Sequence, residues 1–213
     1  MMFMPGDESE QTWYFAIFIA AISLALSLVI FVNYDYNLGG FQLSNTYEWL
    51  PGPLDINLSL GIDGISAPMV LLNGIVLLGG VLVSQTVKYR TREFFVLLFA
   101  LSAGVYGVFV ARDLFFLFFF YELAVLPMYL LIGIWGGPGR VYASVKFLLF
   151  TLAGSVLMLV GMIALLDICG TLDFRALAAG HEQLSGTQQA WLFGAFLAAF
   201  AVKVPMFPVH TWL

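Results

Sequence analysis

Three ionisable residues lie inside long apolar runs of this chain: Glu122, Lys146 and Lys203. Glu122 is near the middle of the run 114–135, which is long enough to cross a hydrocarbon layer roughly 30 Å thick. At such a depth a carboxylate costs roughly 3 kcal/mol unless it faces protein, a partner charge or water. A lysine taken out of water gives up its proton more easily, and a nearby carboxylate counteracts this. Glu122 and Lys203 are therefore predicted to form a proton gate, in which their separation decides whether Lys203 holds its proton.

Each of these charges also has a structural interpretation. Glu122 and Lys203 could form a static buried ion pair, although such a pair stabilises a protein weakly because both charges must be desolvated. Lys146 lies about a turn and a half inside its predicted helix, so its ammonium group could reach the lipid headgroups instead of carrying protons. Proton transfer is the favoured interpretation for the first pair, and both interpretations of Lys146 stay open.

Two prolines and a histidine follow Lys203 closely. Pro205 and Pro208 each lack a backbone N–H, so the helix that carries Lys203 is predicted to break in the region 203–205. A helix break at membrane depth is tolerated where the freed carbonyl groups meet protein or water, and in transporters it marks the ion path. Histidine is the side chain suited to proton relay near neutral pH, and His210 is predicted to relay a proton onward, the alternative being a purely structural role.

The composition predicts a membrane protein and excludes several other classes. Hydrophobic residues make up 62% of the chain, charged residues 10%, and the mean hydropathy is +0.97, which is far too apolar for a soluble core of this size. A net charge of −5 without a Lys/Arg cluster argues against nucleic-acid binding. A single cysteine, Cys169, and no Gly-rich nucleotide loop predict that the chain itself holds no redox centre, cofactor or metal.

The elements that must position these residues are apolar helices. Between the first two of them, alternating polar and apolar residues at 40–62, interrupted by turn residues at 51–53, predict a small β-hairpin at the membrane surface. The whole is predicted to be an all-α polytopic membrane protein, with residues 1–213 forming a single membrane domain. The six predicted spans are about 13–32, 65–87, 94–111, 114–135, 141–166 and 189–209.

The basic residues indicate an orientation. Loops on one face carry Lys88, Arg90, Arg92 and Arg140, whereas the opposite loops carry only two basic residues, Arg112 and Arg175. The face with more basic residues is predicted to be cytoplasmic, which places the hairpin in the periplasm or lumen. Acidic residues precede the first apolar run, so no cleavable export signal is predicted.

Three segments of the chain carry a family resemblance. Residues 121–136, 146–155 and 201–213 resemble, in order and spacing, the antiporter-like subunits of respiratory complex I. The resemblance implies the first half of an inverted-repeat fold, with the C-terminal half of the family fold absent from this chain. A chain so shortened is expected to lack a complete route across the membrane and to move no protons when made alone.

The resemblance also implies roles for individual residues. Glu122 corresponds to the glutamate of the family's fifth helix, Lys203 to the lysine of its broken seventh helix, Lys146 to the sixth-helix lysine, and His210 to the histidine that leads to the next lysine. FMN, iron–sulfur clusters and quinone would then belong to partner subunits. The implied partners are the other membrane subunits, including homologous antiporter-like chains, in a prokaryotic inner membrane or a thylakoid.

Two other functions remain open at this point. The same machinery could belong to a multisubunit cation/proton antiporter, a membrane-bound hydrogenase or a photosynthetic ferredoxin-quinone complex. The second alternative is a membrane scaffold that transports nothing, in which Glu122 and Lys203 are a static pair.

Overall fold

The computed structural model describes residues 9–50, 56–180 and 184–213. The predictions for the N-terminal residues 1–8 and for the hairpin turn at 51–53 therefore lie outside the described residues. The helices are α1 (Ser9–Asn33), α2 (Ser66–Val83), α3 (Thr91–Val110), α4 (Leu114–Trp135), α5 (Arg140–Cys169), α6 (Phe174–Ala179) and α7 (Gly186–Lys203). The strands are β1 (Gln42–Leu50) and β2 (Ile56–Ile62).

Five helices of the described chain are long and apolar enough to cross a membrane: α1, α2 with the single 3-10 turn after it, α3, α4 and α5. The polytopic all-α fold class is thereby confirmed, and the chain is an integral membrane protein. The sixth predicted span, 189–209, differs from the structure. Its helix, α7, begins earlier with the polar residues Gly186–Gln189 and ends at Lys203, so that 18 residues remain and the apolar part is shorter than a full span.

The predicted hairpin is present as an antiparallel pair of strands. Thr46 faces Ser59 and Tyr47 faces Leu58 in its register, which is irregular near both ends. The hairpin also lies against the loop between α3 and α4, because the backbone N–H of Arg112 donates to the carbonyl oxygen of Ser59 over 3.0 Å. It therefore covers the end of the bundle at which α4 begins.

Small residues set the spacing of the helices around α4. A methyl group added at Gly107 of α3 would overlap the ring of Phe120, and one added at Gly104 would meet Ala124 at 3.0 Å. Close approach through small residues is the usual way in which membrane helices pack, since lipid supplies no hydrophobic drive between them. Because α3 packs against α4, and α4 in turn against α5, this spacing fixes the position of the helix that carries Glu122.

On its other side, α5 packs against α7. Gly154 of α5 faces Val202 and the carbonyl oxygen of Ala199, with 3.3 Å between an added methyl group and either neighbour. Met158 and Ala199 are almost completely buried in the same interface. α5 therefore lies between α4 and α7 and brings the two helices with the intramembrane charges towards each other.

Candidate functional site: an intramembrane ion pair

Glu122 and Lys203 come together in the structure. The Nζ atom of Lys203 lies 3.8 Å from Oε1 of Glu122, and the two side chains are 22% and 23% exposed. Glu122 is the ninth residue of the 22-residue helix α4, well inside the bundle, and Lys203 is the last residue of α7. The two charges of opposite sign are thus adjacent at membrane depth, as the sequence predicts.

The backbone and ring of Tyr121 provide further contacts for Lys203. The ammonium group donates a hydrogen bond to the carbonyl oxygen of Tyr121 at 3.3 Å and lies 2.9 Å from the centre of the Tyr121 ring. The negative face of an aromatic ring attracts a cation most strongly when water is excluded. Lys203 therefore has neutral partners that can hold its charge in addition to the carboxylate of Glu122.

Glu122 has a second partner on α5. The hydroxyl group of Ser155 donates to Oε1 of Glu122, the same oxygen that faces Lys203. The same hydroxyl also lies 2.8 Å from the carbonyl oxygen of Thr151, one turn earlier in α5. The carboxylate is therefore held between a neutral hydroxyl on one helix and a cation on another.

A cavity of about 430 Å³ reaches Lys203 from the side of α2 and α3. Its walls are mostly apolar, with Asn73, Ser102 and Tyr121 as the polar exceptions besides the lysine. The amide nitrogen of Asn73 lies 3.2 Å from the hydroxyl oxygen of Ser102, and the hydroxyl of Tyr121 is buried without a partner among the described residues. A space of this size, with these polar groups, can admit water to the lysine.

The helix carrying Lys203 ends where the prolines predict. Pro205 has no N–H to continue the ladder, and the N–H of Met206 bonds instead to the carbonyl oxygen of Ala201 at 2.9 Å. The indole N–H of Trp212 donates to the carbonyl oxygen of Val202 at 2.7 Å. The segment after Lys203 therefore folds back on the end of α7 through turns and leaves the helical path.

The other two predicted site residues do not join this pair. Lys146 is half-buried on α5, where its Nζ atom lies 5.9 Å from the ring centre of Tyr142. His210 is exposed, and its ring lies 5.8 Å from the ring of Phe207. Within the described parts of the chain, neither residue forms an ion pair or a hydrogen bond with the Glu122–Lys203 pair. Their predicted roles in proton transfer stay predictions.

The sequence interpretation missed Ser155 and the contact between Lys203 and Tyr121. A signal for the serine exists: Thr151 and Ser155 are polar residues one turn apart in the apolar middle of α5, and they therefore share a face. For Tyr121 no signal exists, because an aromatic residue next to a charge is ordinary in a membrane helix.

The described residues contain no group of three or more His, Cys, Asp or Glu side chains that could hold a metal ion. What the site offers chemically is a titratable acid and a titratable base in contact, bordered by hydroxyl groups and an accessible cavity. These are the components of proton exchange at membrane depth.

The fold is that of an antiporter-like integral membrane protein. Residues 111–213 match the transmembrane family described as NADH:quinone oxidoreductase/Mrp antiporter, and the family resemblance found in the sequence is thereby confirmed. Over 212 residues the chain is 39% identical to NAD(P)H-quinone oxidoreductase chain 4 3 of Picosynechococcus sp.. That similarity covers 99% of the chain and 38% of the relative, so the chain spans about two fifths of the length of the curated proteins it matches.

Solved structures show the same likeness. The chain superimposes on a chain of respiratory complex I from Thermus thermophilus with bound NADH with a TM-score of 0.84 and 32% identity, covering 93% of this chain and 41% of that one. A chain of the Mrp complex from Dietzia sp. gives a TM-score of 0.79 at 23% identity, covering 97% of this chain and 38% of the other. The second comparison shows a shared fold.

Proposed function

We propose that this chain forms part of a proton-translocating membrane subunit of an NADH-quinone oxidoreductase, in which Glu122 and Lys203 act as a proton gate. The observation that carries the proposal is the contact between an acid and a base at membrane depth, 3.8 Å apart, beside a cavity. The cost of desolvating both charges offsets most of the attraction between them, so such a pair stabilises the fold weakly. This favours a functional reason for its presence.

The gate works through the separation of the two charges. While the carboxylate of Glu122 faces Lys203, the ammonium form of the lysine is stabilised and the proton is held. When Glu122 is neutralised or moves away, the ammonium group retains only the neutral contacts to Tyr121 and can release its proton to water in the cavity. Because a lysine cannot coordinate a metal cation in its charged form, the transported ion in this proposal is H⁺ and not Na⁺.

Lys146 and His210 extend this path in the proposal. Lys146, half-buried on α5, would exchange protons with the near membrane surface, and His210, beyond the break formed at Pro205 and Pro208, would pass a proton onward. The break itself supports the relay, since it ends α7 at Lys203 and turns the following segment, which carries His210, off the helical path. We treat residues 1–213 as one membrane domain of a longer transport route.

Electron transfer takes place elsewhere in this proposal. NADH oxidation, FMN, iron–sulfur clusters and quinone reduction belong to partner subunits, and this chain contributes no redox group to the reaction. Its partners are other membrane subunits of complex I, including homologous antiporter-like chains, in a prokaryotic inner membrane or a thylakoid. Energy from electron transfer reaches the pair through conformational or electrostatic change.

A cation/proton antiporter subunit is the second candidate, supported by the shared fold of the Mrp chain. The higher identity to the complex I chain, 32% against 23%, favours the oxidoreductase. The two candidates differ in whether NADH oxidation drives transport. The alternative of a static scaffold differs from both, because it requires no proton movement at all.

The test is the Lys203→Ala variant in cells that express the protein in its native membrane. Vesicles from these cells should lose NADH-driven internal acidification, followed with a pH-sensitive dye, while native gels show an assembled complex. Lys88→Ala, which removes an exposed lysine from a loop, is the matched control and should leave pumping unchanged. Unchanged pumping in an assembled Lys203→Ala complex would support the scaffold and reject the gate.

A further inference from the structure

Ser155 occupies an unusual place in the site. It is 6% exposed, lies on α5 next to the close contact at Gly154, and faces two acceptors at once. One acceptor is Oε1 of Glu122 and the other is the carbonyl oxygen of Thr151, 2.8 Å away. A serine hydroxyl has one proton and two lone pairs, so it can donate to one of these acceptors at a time.

This geometry satisfies both protonation states of Glu122. When Glu122 is ionised, the Ser155 hydroxyl donates to the carboxylate, and the bond is of the stronger, charge-assisted kind. When Glu122 is protonated, its own O–H can donate to the Ser155 oxygen, while the serine proton turns to the carbonyl group of Thr151. Oε1 of Glu122 and the Ser155 hydroxyl therefore keep a hydrogen-bond partner in both states, whereas a buried polar group without a partner would cost roughly 1–3 kcal/mol.

We propose that Ser155 is a positioning residue for proton exchange at Glu122: its hydroxyl keeps Oε1 of Glu122 directed at Lys203 and accommodates the carboxyl group in both protonation states. This inference rests on the proposed function of the pair and adds to it. The serine is not a proton carrier in this account, because the transferred proton stays on Glu122 and Lys203.

Among the described residues around Glu122, Ser155 is the neutral side chain that hydrogen-bonds to its carboxylate. Lys203 faces it from α7, and Tyr121 is the titratable neighbour on its own helix. From α5, the ammonium group of Lys146 lies near the Tyr142 ring, and in the described structure it forms no ion pair with Glu122. α3 meets α4 through glycines, and β2 meets it through apolar side chains. A change in the pH dependence after substitution of Ser155 is therefore attributable to the loss of its hydroxyl.

The experiment measures proton pumping against pH in vesicles containing the full native complex. With Ser155→Ala we expect a rate about tenfold lower at neutral pH, the scale of one lost hydrogen bond to a charged group. The acidic limb of the pH profile should move to higher pH, because the ionised carboxylate loses a donor. Ser155→Thr, which keeps a hydroxyl, should restore both the rate and the profile.

Ser144→Ala is the matched control. Ser144 is a second buried serine of α5, 3% exposed, that faces α4 near Gly133 and donates to the carbonyl oxygen of Val141. Its loss should change neither the rate nor the pH profile. A Ser155→Ala profile that superimposes on wild type, or equal effects of the Ser155 and Ser144 substitutions, would overturn the proposal.

A second variant, Ser155→Cys, and infrared difference spectra test the role of Ser155 independently of the Ser155→Ala variant. If Ser155→Ala assembles poorly, Ser155→Cys keeps a side chain of the same shape and slightly larger volume with only a weak donor, and it should show the same shift of the profile. Infrared difference spectra report the carbonyl stretch of the protonated Glu122 side chain, which should move when its hydroxyl partner is removed and stay in place in Ser144→Ala. If the band does not move in Ser155→Ala, the contact between Ser155 and Glu122 is contradicted, whether or not the complex pumps protons. If the band moves but the wild-type complex pumps no protons, only the proposed function is contradicted.

Discussion

The structure contains two ion pairs with the same separation and very different surroundings. The Nζ atom of Lys203 lies 3.8 Å from Oε1 of Glu122, and a guanidinium nitrogen of Arg112 lies 3.8 Å from a carboxylate oxygen of Asp173. The first pair joins the interior of α4 to the last residue of α7. The second lies at the end of the bundle that the hairpin covers, between the loops that precede α4 and α6.

Backbone hydrogen bonds anchor both residues of the second pair. Arg112 bonds through its N–H to Ser59 of the hairpin and through its carbonyl oxygen to the N–H of Phe174, and its guanidinium group lies 5.1 Å from the Phe41 ring. Asp173 begins α6 by accepting hydrogen bonds from the backbone N–H groups of Arg175 and Ala176. This pair therefore connects the hairpin, the start of α4 and the start of α6.

The comparison teaches that distance alone does not distinguish a structural ion pair from a functional one. An arginine keeps its proton at any physiological pH, and anchoring by the backbone prevents the Arg112–Asp173 pair from separating. A lysine can lose its proton, and the Glu122–Lys203 pair is held only through side chains, a ring face and one carbonyl group. The chemistry of the cation and the freedom to separate favour proton transfer at the Glu122–Lys203 pair alone.

Exchanging the two cations should give the largest effect. We expect Lys203→Arg to lower proton pumping about a hundredfold, because the guanidinium group cannot give up its proton and general acid–base transfer contributes at least this much. Arg112→Lys, the reciprocal change at the structural pair, should retain pumping. Pumping would be measured in native vesicles from the initial rate of dye quenching, and comparable rates for Lys203→Arg and wild type would remove the distinction between the pairs.

The structural pair should instead reveal itself in stability. Asp173→Ala removes both the N-cap of α6 and the partner of Arg112, and we expect a loss of about 1–2 kcal/mol, seen as a lower thermal midpoint of the solubilised complex. Asp167→Ala, an exposed aspartate near the end of α5, serves as the control and should leave the midpoint in place. Equal midpoints for the two variants would show that the Asp173 contacts carry no stability.

The smallest effect concerns helix spacing at the functional pair. An added methyl group in Gly154→Ala would push Val202 and the neighbouring backbone of α7 away by a few tenths of an ångström, and Lys203 would move with them. We expect pumping to fall about threefold, since misplacement by a full ångström can cost a hundredfold. In Gly194→Ala the same methyl group, on α7, meets nothing within 4 Å, so pumping should be unchanged. A Gly154→Ala rate that matches that of Gly194→Ala would mean that the pair tolerates such a shift.

Much of the fold could be predicted because hydropathy sets which segments can lie in lipid. The helix limits could not, because hydrogen bonds and caps determine them: α5 continues to Cys169, past the predicted end at 166, and ends where Gly170 adopts a left-handed conformation. α7 likewise begins at Gly186, where Ser185 and Gln188 form a capping box. The orientation in the membrane and the extent of the domain stay predictions.

The site was only partly predictable for a related reason. Glu122 and Lys203 are visible in the sequence because charges are rare in apolar runs. α4 and α7 are apolar around most of their surface, so the sequence does not show which side of either helix faces a partner. The contacts of Ser155 and Tyr121 depend on that packing and became apparent only in the assembled bundle.

The most direct test of the central claim compares one neutralised carboxylate from each pair in the same assay. Glu122→Gln and Asp173→Asn each remove one negative charge with almost no change of shape, and Asn still caps α6. In vesicles with equal amounts of assembled complex, we expect protons pumped per NADH oxidised to fall to background in Glu122→Gln and to stay near wild type in Asp173→Asn. Wild-type pumping in Glu122→Gln, or equal losses in both variants, would contradict the assignment of proton transfer to the Glu122–Lys203 pair.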